Sequence, residues 1–213
     1  MPKEQLAIGQ VGHIGRESFT GLSKWMEHER VPRIIILEHK HAMCLYNDQN
    51  EESAETARET GNTVISADIY KPLPEWSAPH LGLLLLEDML NDPAYLPPKN
   101  CMQLAKNLHT MMSDGGLVLA TDTHDPPMRF EFYTSVINAM AENSFATILD
   151  EVTESHFISS SIRIDEYFPQ REEALLAQLG ELDLLDEPLV QGVAAHAQQP
   201  TEYWLLFKKI TGK

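Results

Sequence analysis

The stretch LGLLLLEDML, Leu81 to Leu90, is the most apolar run in the chain, and the fold turns on whether it is a helix or a strand. A helical period fits its apolar residues. Four consecutive leucines, Leu83 to Leu86, following a loop broken by Pro72 and Pro74, instead fit a strand covered on both faces. We therefore read Leu81–Leu90 as a central strand of a parallel sheet.

Working towards the N-terminus, NTVISADIY (Asn62 to Tyr70) is a strand, reached from an acidic, helix-forming stretch between Cys44 and Glu59 that Gly61 stops. Before it, RIIILEHKH (Arg33 to His41) is Ile-rich and short, as expected of a buried parallel strand. Phe19, Leu22, Trp25 and Met26 keep helical spacing ahead of it, and Pro32 closes that segment. The first apolar run, QLAIGQV (Gln5 to Val11), is a strand entering a Gly-rich turn, with Gly9, Gly12 and Gly15 at intervals of three.

Working towards the C-terminus, Cys101, Leu104, Ala105, Leu108, Met111 and Met112 form an amphipathic helical stripe. Asp114-Gly115-Gly116 turns it into the strand LVLATDTH, Leu117 to His124. Five strands alternating with helices predict an α/β fold with helices on both faces of the sheet. In the last third, Met128 to Ala141 reads as a helix, Phe145 to Tyr167 as mixed structure, and Arg171 to Leu185 as a helix. DEPLVQGVA (Asp186 to Ala194) reads as a strand paired antiparallel, through a short polar link, with the terminal strand TEYWLLFKKI, Thr201 to Ile210. Residues 1–213 are read as one domain.

Charge narrows the function. With 32 acidic against 16 basic residues and a net charge of −16, the chain lacks the clustered cations that hold a phosphate backbone, so nucleic acid is excluded as partner. The two cysteines, Cys44 and Cys101, have neither zinc-site nor redox-pair spacing. No apolar run reaches the roughly 18 residues of a membrane span, and MPKEQLAIG has no signal-peptide pattern. A cytoplasmic protein with no membrane partner is expected.

The pattern of segments resembles the class I S-adenosylmethionine-dependent methyltransferases across essentially the whole chain. That family has a first strand ending in a Gly-rich loop, acidic residues ending the second and third strands, and a fourth strand leading to a helix closed by a turn of the Asp-Gly-Gly kind. Here AIGQVGHIG, Glu38, Asp68 with Ile69, and LLLLEDML followed by MMSDGGLVLATD occupy those places in order. The resemblance implies a Rossmann-like three-layer sandwich, a mostly parallel seven-stranded sheet with an antiparallel C-terminal strand, and S-adenosyl-L-methionine as cofactor.

Each place has a chemical job. Gly9, Gly12 and Gly15 would let the backbone bend and the cofactor approach. Glu38, 23 residues after Gly15, would accept the hydroxyl protons of a ribose. The Asp68 carboxylate would accept from an adenine amino group, with Ile69 packed on the ring. The position that is acidic in the family's first loop corresponds to Ala7, which leaves Gln10, His13 or a backbone group to meet the cofactor's amino-acid end. Glu87 and Asp88 stand at the mouth of the fourth strand, near the reacting methyl.

The methyl of a sulfonium is already activated, so the protein's task is to align acceptor, carbon and sulfur and to exclude water. His13, Glu87 and His124, with Asp122, are the candidate bases for an acceptor that carries a proton. Phe130, Phe132 and Tyr133 are candidate walls for a small-molecule acceptor. The segment 125–168 is expected to cover the substrate, since the helices that often do so are not seen ahead of the first strand; a pocket without its own cover favours a homodimer.

Other motifs carry less. DPAY (Asp92 to Tyr95) and DPPM (Asp125 to Met128) only partly match the Asp-Pro-Pro-Tyr of amino-methylating nucleic-acid enzymes. Asp122, His124 and Asp125 could ligate a divalent ion, but a solvated loop is the simpler account and no metal is expected. His39, His41 and His156 have no assigned role. An NAD(P)-binding oxidoreductase and a non-catalytic binding or scaffold protein on the methyltransferase fold are the alternatives.

Overall fold

The structure is a computed structural model and describes residues 6–11, 34–38, 58–59, 63–73, 75–87, 98–122, 130–150, 168–198 and 203–211. Its strands are β1 (Ala7–Val11), β2 (Ile34–Glu38), β3 (Thr63–Ala67), β4 (Leu81–Glu87), β5 (Met112–Asp122), β6 (Phe145–Asp150) and β7 (Tyr203–Lys209). The helices are α1 (Pro98–Met111), α2 (Phe130–Glu142), α3 (Phe168–Glu181) and α4 (Glu187–Ala197). The strands form one sheet in the order β3-β2-β1-β4-β5-β7-β6. β1 to β5 pair parallel, and β7 runs antiparallel between β5 and β6. This is the expected α/β class with a mixed sheet.

LGLLLLE is the strand β4, flanked by β1 and β5, and Leu81 to Leu86 are buried throughout. Its two faces serve different cores. Leu81, Leu84 and Leu86 join Leu104 and Leu108 of α1 and Val136 and Met140 of α2. Leu83 and Leu85 join Leu175 and Leu179 of α3 and Leu189 and Val193 of α4. Each such leucine contributes about 2–3 kcal/mol on burial, which is why a continuous leucine run, and not an alternating one, suits a strand with helices on both sides.

At the rim where the parallel strands begin, backbone and side chain close the chain on itself. Met112 pairs with Leu81 while Leu117 pairs with Leu83, so Ser113 to Gly116 is looped out of the ladder. Gly115 adopts φ +77°, and a Cβ on Gly116 would lie 2.8 Å from the carbonyl oxygens of both Leu81 and Ser113. Only glycine fits both places without strain. The Ser113 hydroxyl donates to the Leu81 carbonyl at 2.8 Å. Lys209 Nζ, from β7, donates to the carbonyls of His109 and Met112 at 3.0 and 2.9 Å, satisfying acceptors that the end of α1 leaves over.

The expected strand at Asp186–Ala194 is instead the helix α4. Asp186 is its N-cap, its carboxylate accepting from the Leu189 N–H at 2.7 Å, and Pro188 lies in the first turn. Leu189, Val193, His196 and Ala197 share the buried face at a spacing of three to four. The antiparallel partners of the terminal strand are consequently β5 and β6, with Thr121 opposite Trp204 and Phe145 opposite Lys209. β6 occupies the first six residues of Phe145–Tyr167, a stretch whose sequence predicts mixed structure.

Within 125–168, α2 and β6 are part of the core and the sheet, and 151–167 lie outside the described residues. The helices expected at Arg16–Val31 and, except for Arg58 and Glu59, at Cys44–Glu59 lie outside them too. No helix among the described residues is long and apolar enough to cross a membrane.

Candidate functional site

Two halves of the sheet diverge from β1: β2 and β3 lie on one side, β4 and β5 on the other. In open α/β sheets, ligands lie beyond the carboxyl ends of the strands at this point of divergence. The register brings the strand ends to one rim. Val11 pairs with Ile36 and with Leu86, Glu38 with Ala67, and Glu87 with Thr121. Glu38, Asp68, Glu87 and Asp122 thus end, or directly follow, β2, β3, β4 and β5 on the same side of the sheet.

Asp68 has the most fully defined surroundings of the four. Its Oδ1 accepts from the Tyr70 N–H at 3.0 Å, its Oδ2 meets Lys71 Nζ at 2.9 Å, and its carbonyl accepts from the Lys71 N–H at 3.0 Å. The turn Asp68–Lys71 is closed by its own first residue. Lys71 is largely exposed, whereas the Asp68 side chain retains only 11% exposure. Ile69 and Tyr70 are buried in the core beneath α1, so Ile69 anchors the turn from below.

Gly9, read from the sequence as part of the Gly-rich turn, is placed differently by the structure. Gly9 lies inside β1, and the volume a Cβ would occupy there holds the Leu81 and Leu84 side chains, 2.6 and 2.8 Å away. It is a packing glycine within the sheet. Ala7 pairs with Leu81 at the opposite rim, so it does not stand where the family's acidic loop residue would. Gln10, next to the last residue of β1, is buried at 3% exposure. Gly12, His13, Gly15, Asp88 and His124 lie outside the described residues, and Phe130, Phe132 and Tyr133 fall in the first four positions of α2. No three His, Cys, Asp or Glu side chains gather as a metal cluster among the described residues.

Sequence reasoning missed a buried polar group beneath the same rim. Trp204, opposite Thr121, has the Arg171 guanidinium 5.4 Å from its ring centroid and the His196 ring at 4.9 Å. Burial, reinforced by the Arg171 charge, lowers His196 to about 3, so its imidazole is neutral. The hydroxyl of Thr121 and the indole N–H of Trp204 meet no hydrogen-bond partner among the described residues. The apolar spacing in α4 marks the buried face on which His196 sits, but nothing local marks Arg171 as buried. Cys101 is also buried, and desolvation pushes its thiol up to about 11, which removes it as a nucleophile.

Solved structures similar to the chain include the antibiotic-resistance methyltransferase Kmr, 11% identical over 99% of this chain and 90% of that one, with a TM-score of 0.48. The chain is similar to methyltransferases. Others are the geranyl diphosphate C-methyltransferase from Streptomyces coelicolor A3(2), solved with S-adenosyl-L-homocysteine (10% identity, 97% and 73% covered, TM-score 0.44), and the [4+2]-cyclase SpnF (14%, 99% and 77%, 0.48). No protein-family model and no curated protein matches the chain.

Proposed function

We propose that the protein binds S-adenosyl-L-methionine at the strand-end rim and transfers its methyl group to a small-molecule acceptor by in-line displacement. The observation that carries this reading is the position of Glu38, Asp68 and Glu87 at or just after the ends of β2, β3 and β4, on either side of β1. The donor set fits the cofactor: carboxylates accept from ribose hydroxyls and from an adenine amino group, and a carboxylate offers about four acceptor positions, so the bonds of Asp68 within its own turn do not preclude a further one. In this reading Glu38 holds the ribose, Asp68 the adenine edge, and Gly12, Gly15 and Gln10 the amino-acid end.

S-adenosylmethionine supplies a sulfonium-activated methyl group when bound. The chain's own residues orient the acceptor and keep water out. His13, Glu87 or His124 takes the acceptor's proton where it carries one. The insertion of β7 between β5 and β6 favours this reading over an NAD(P)-binding oxidoreductase. Residues 1–213 act as one domain in it.

Calorimetric titration of wild type, Glu38→Gln and Asp68→Asn with S-adenosyl-L-homocysteine tests the assignment. Hydrogen bonds to charged groups contribute about 1.5–3 kcal/mol, so each variant should bind about tenfold or more weakly. Unchanged affinity in both would overturn it. Retained turnover in an alanine variant of His13, Glu87 or His124 would remove that residue as base.

A further inference from the structure

We infer that Asn107 is a positioning residue for the nucleoside end of the ligand, acting through the turn that carries Asp68; the inference rests on the reading above. Asn107 belongs to α1, 39 positions beyond Asp68 in the chain, and is buried at 4% exposure. Its Nδ2 donates to the carbonyl of Ile69 at 2.7 Å and to the carbonyl of Lys71 at 2.7 Å. Both hydrogens of one amide are used on one turn. Its Oδ1 accepts from Gln103 Nε2 at 2.9 Å, one helical turn earlier, which fixes which way the amide faces.

The geometry has a direct consequence for Asp68. Ile69 and Lys71 flank Tyr70, whose N–H donates to the Asp68 carboxylate. Asn107 therefore holds the backbone on both sides of the group that orients that carboxylate. The apolar packing of Ile69 and Tyr70 fixes the depth of the turn in the core, but packing is not directional, whereas two short amide bonds set its rotation. A carboxylate that reads one exocyclic amino group needs that rotation set before the ligand arrives, because ordering it on binding would weaken affinity. Asn107 touches no ligand in this arrangement; it fixes the residue that does.

The test compares wild type with Asn107→Leu, which keeps the shape and removes both donors, and Asn107→Asp, which keeps the outline and replaces donors by acceptors. Gln103→Ala leaves both donors on Asn107 and frees only their orientation. Ser113→Ala is the control, since it removes a side-chain bond to a backbone carbonyl at the other rim. Each is titrated calorimetrically with S-adenosyl-L-homocysteine well below its unfolding temperature, and amide hydrogen exchange is followed at Tyr70 and Lys71.

The expected result is a dissociation constant raised about tenfold or more in Asn107→Leu and Asn107→Asp and about two- to threefold in Gln103→Ala. Exchange at Tyr70 and Lys71 should accelerate in the same order, and Ser113→Ala should bind as wild type does. Wild-type affinity in the Asn107 variants, or an equal loss in Ser113→Ala, would overturn the inference while leaving the proposed function standing. A wild type that does not bind S-adenosyl-L-homocysteine overturns the function and with it the ligand role of Asn107. If Asn107 variants do not fold, Gln103→Ala decides: wild-type affinity together with unchanged exchange overturns the inference.

Discussion

The two rims of the sheet are built from different residues to different ends. Where the parallel strands begin, Ser113, Gly115, Gly116 and Lys209 spend their chemistry on backbone: a carbonyl is met, a positive φ is accommodated, a helix end is capped. Where the strands finish, Glu38, Asp68, Glu87 and Asp122 stand at or just after the ends of β2, β3, β4 and β5, and Arg171 and His196 pack against Trp204 of β7. The first rim spends its polarity on the chain's own backbone; at the second, acidic residues recur at four strand ends, and Asp68 meets Tyr70 and Lys71 of its own turn.

The contrast can be broken in several places, beginning with the largest effect. Burial lowers His196 to a pKa of about 3 in the folded chain, from its ordinary 6.5. The unfolded chain takes up that proton below about 6.5 and the native chain does not until about 3, so stability is lost as pH is lowered through this window, at about 1.4 kcal/mol per unit. Denaturant titrations at successive pH values should show this slope, and His196→Leu should flatten it. An unchanged slope would mean that the group below the site rim is not neutral as described.

Gly116→Ala comes next. Its Cβ would meet two backbone oxygens at 2.8 Å, and backbone cannot step aside as a side-chain end can. A stability loss of about 3 kcal/mol is expected, with no change in affinity for S-adenosyl-L-homocysteine. Lys209→Met should cost about 2 kcal/mol, since it strands two carbonyls at the end of α1, and it too should leave binding alone. The smallest effect on stability, no more than about 1 kcal/mol, belongs to Asp68→Asn, whose ion-pair partner Lys71 is largely solvated. Its effect on binding should be the largest of the three. A sharper split between stability at one rim and binding at the other would strengthen the contrast; a structural cost at Asp68 equal to that at Gly116 would dissolve it.

How far the sequence spoke depends on the range of the interaction read. The leucine run of β4 and the Ile-rich β2 declare themselves because a strand covered on both faces needs an unbroken apolar stretch. The Asp114-Gly115-Gly116 turn declares itself through glycine's freedom at positive φ. Glu38, Asp68 and Glu87 were legible as strand ends once the strands were placed. The Asp186–Ala194 segment was misread because Pro188 and Gly192 suggest a strand's punctuation, when Pro188 sits in the first helical turn after the Asp186 cap. Gly9 was misread as loop because its spacing matched Gly12 and Gly15, whereas its reason is contact with Leu81 and Leu84 more than 70 positions away. Asn107 and Arg171 carried no local signal, because what they touch is set by tertiary packing.

The central claim is that the acidic strand-end rim takes an adenosyl ligand. Thermal unfolding of the wild-type chain with S-adenosylmethionine, S-adenosylhomocysteine, NAD and NADP, each in turn, tests it most directly, since a ligand that binds only the native state stabilises it by about 2.7 kcal/mol at one hundred times its dissociation constant. Both adenosyl-sulfur ligands should raise the midpoint by several degrees, with the dinucleotides leaving it in place. Stabilisation by NAD or NADP without either adenosyl-sulfur ligand would contradict the claim and favour an oxidoreductase, and silence from all four would favour a non-catalytic scaffold on this fold.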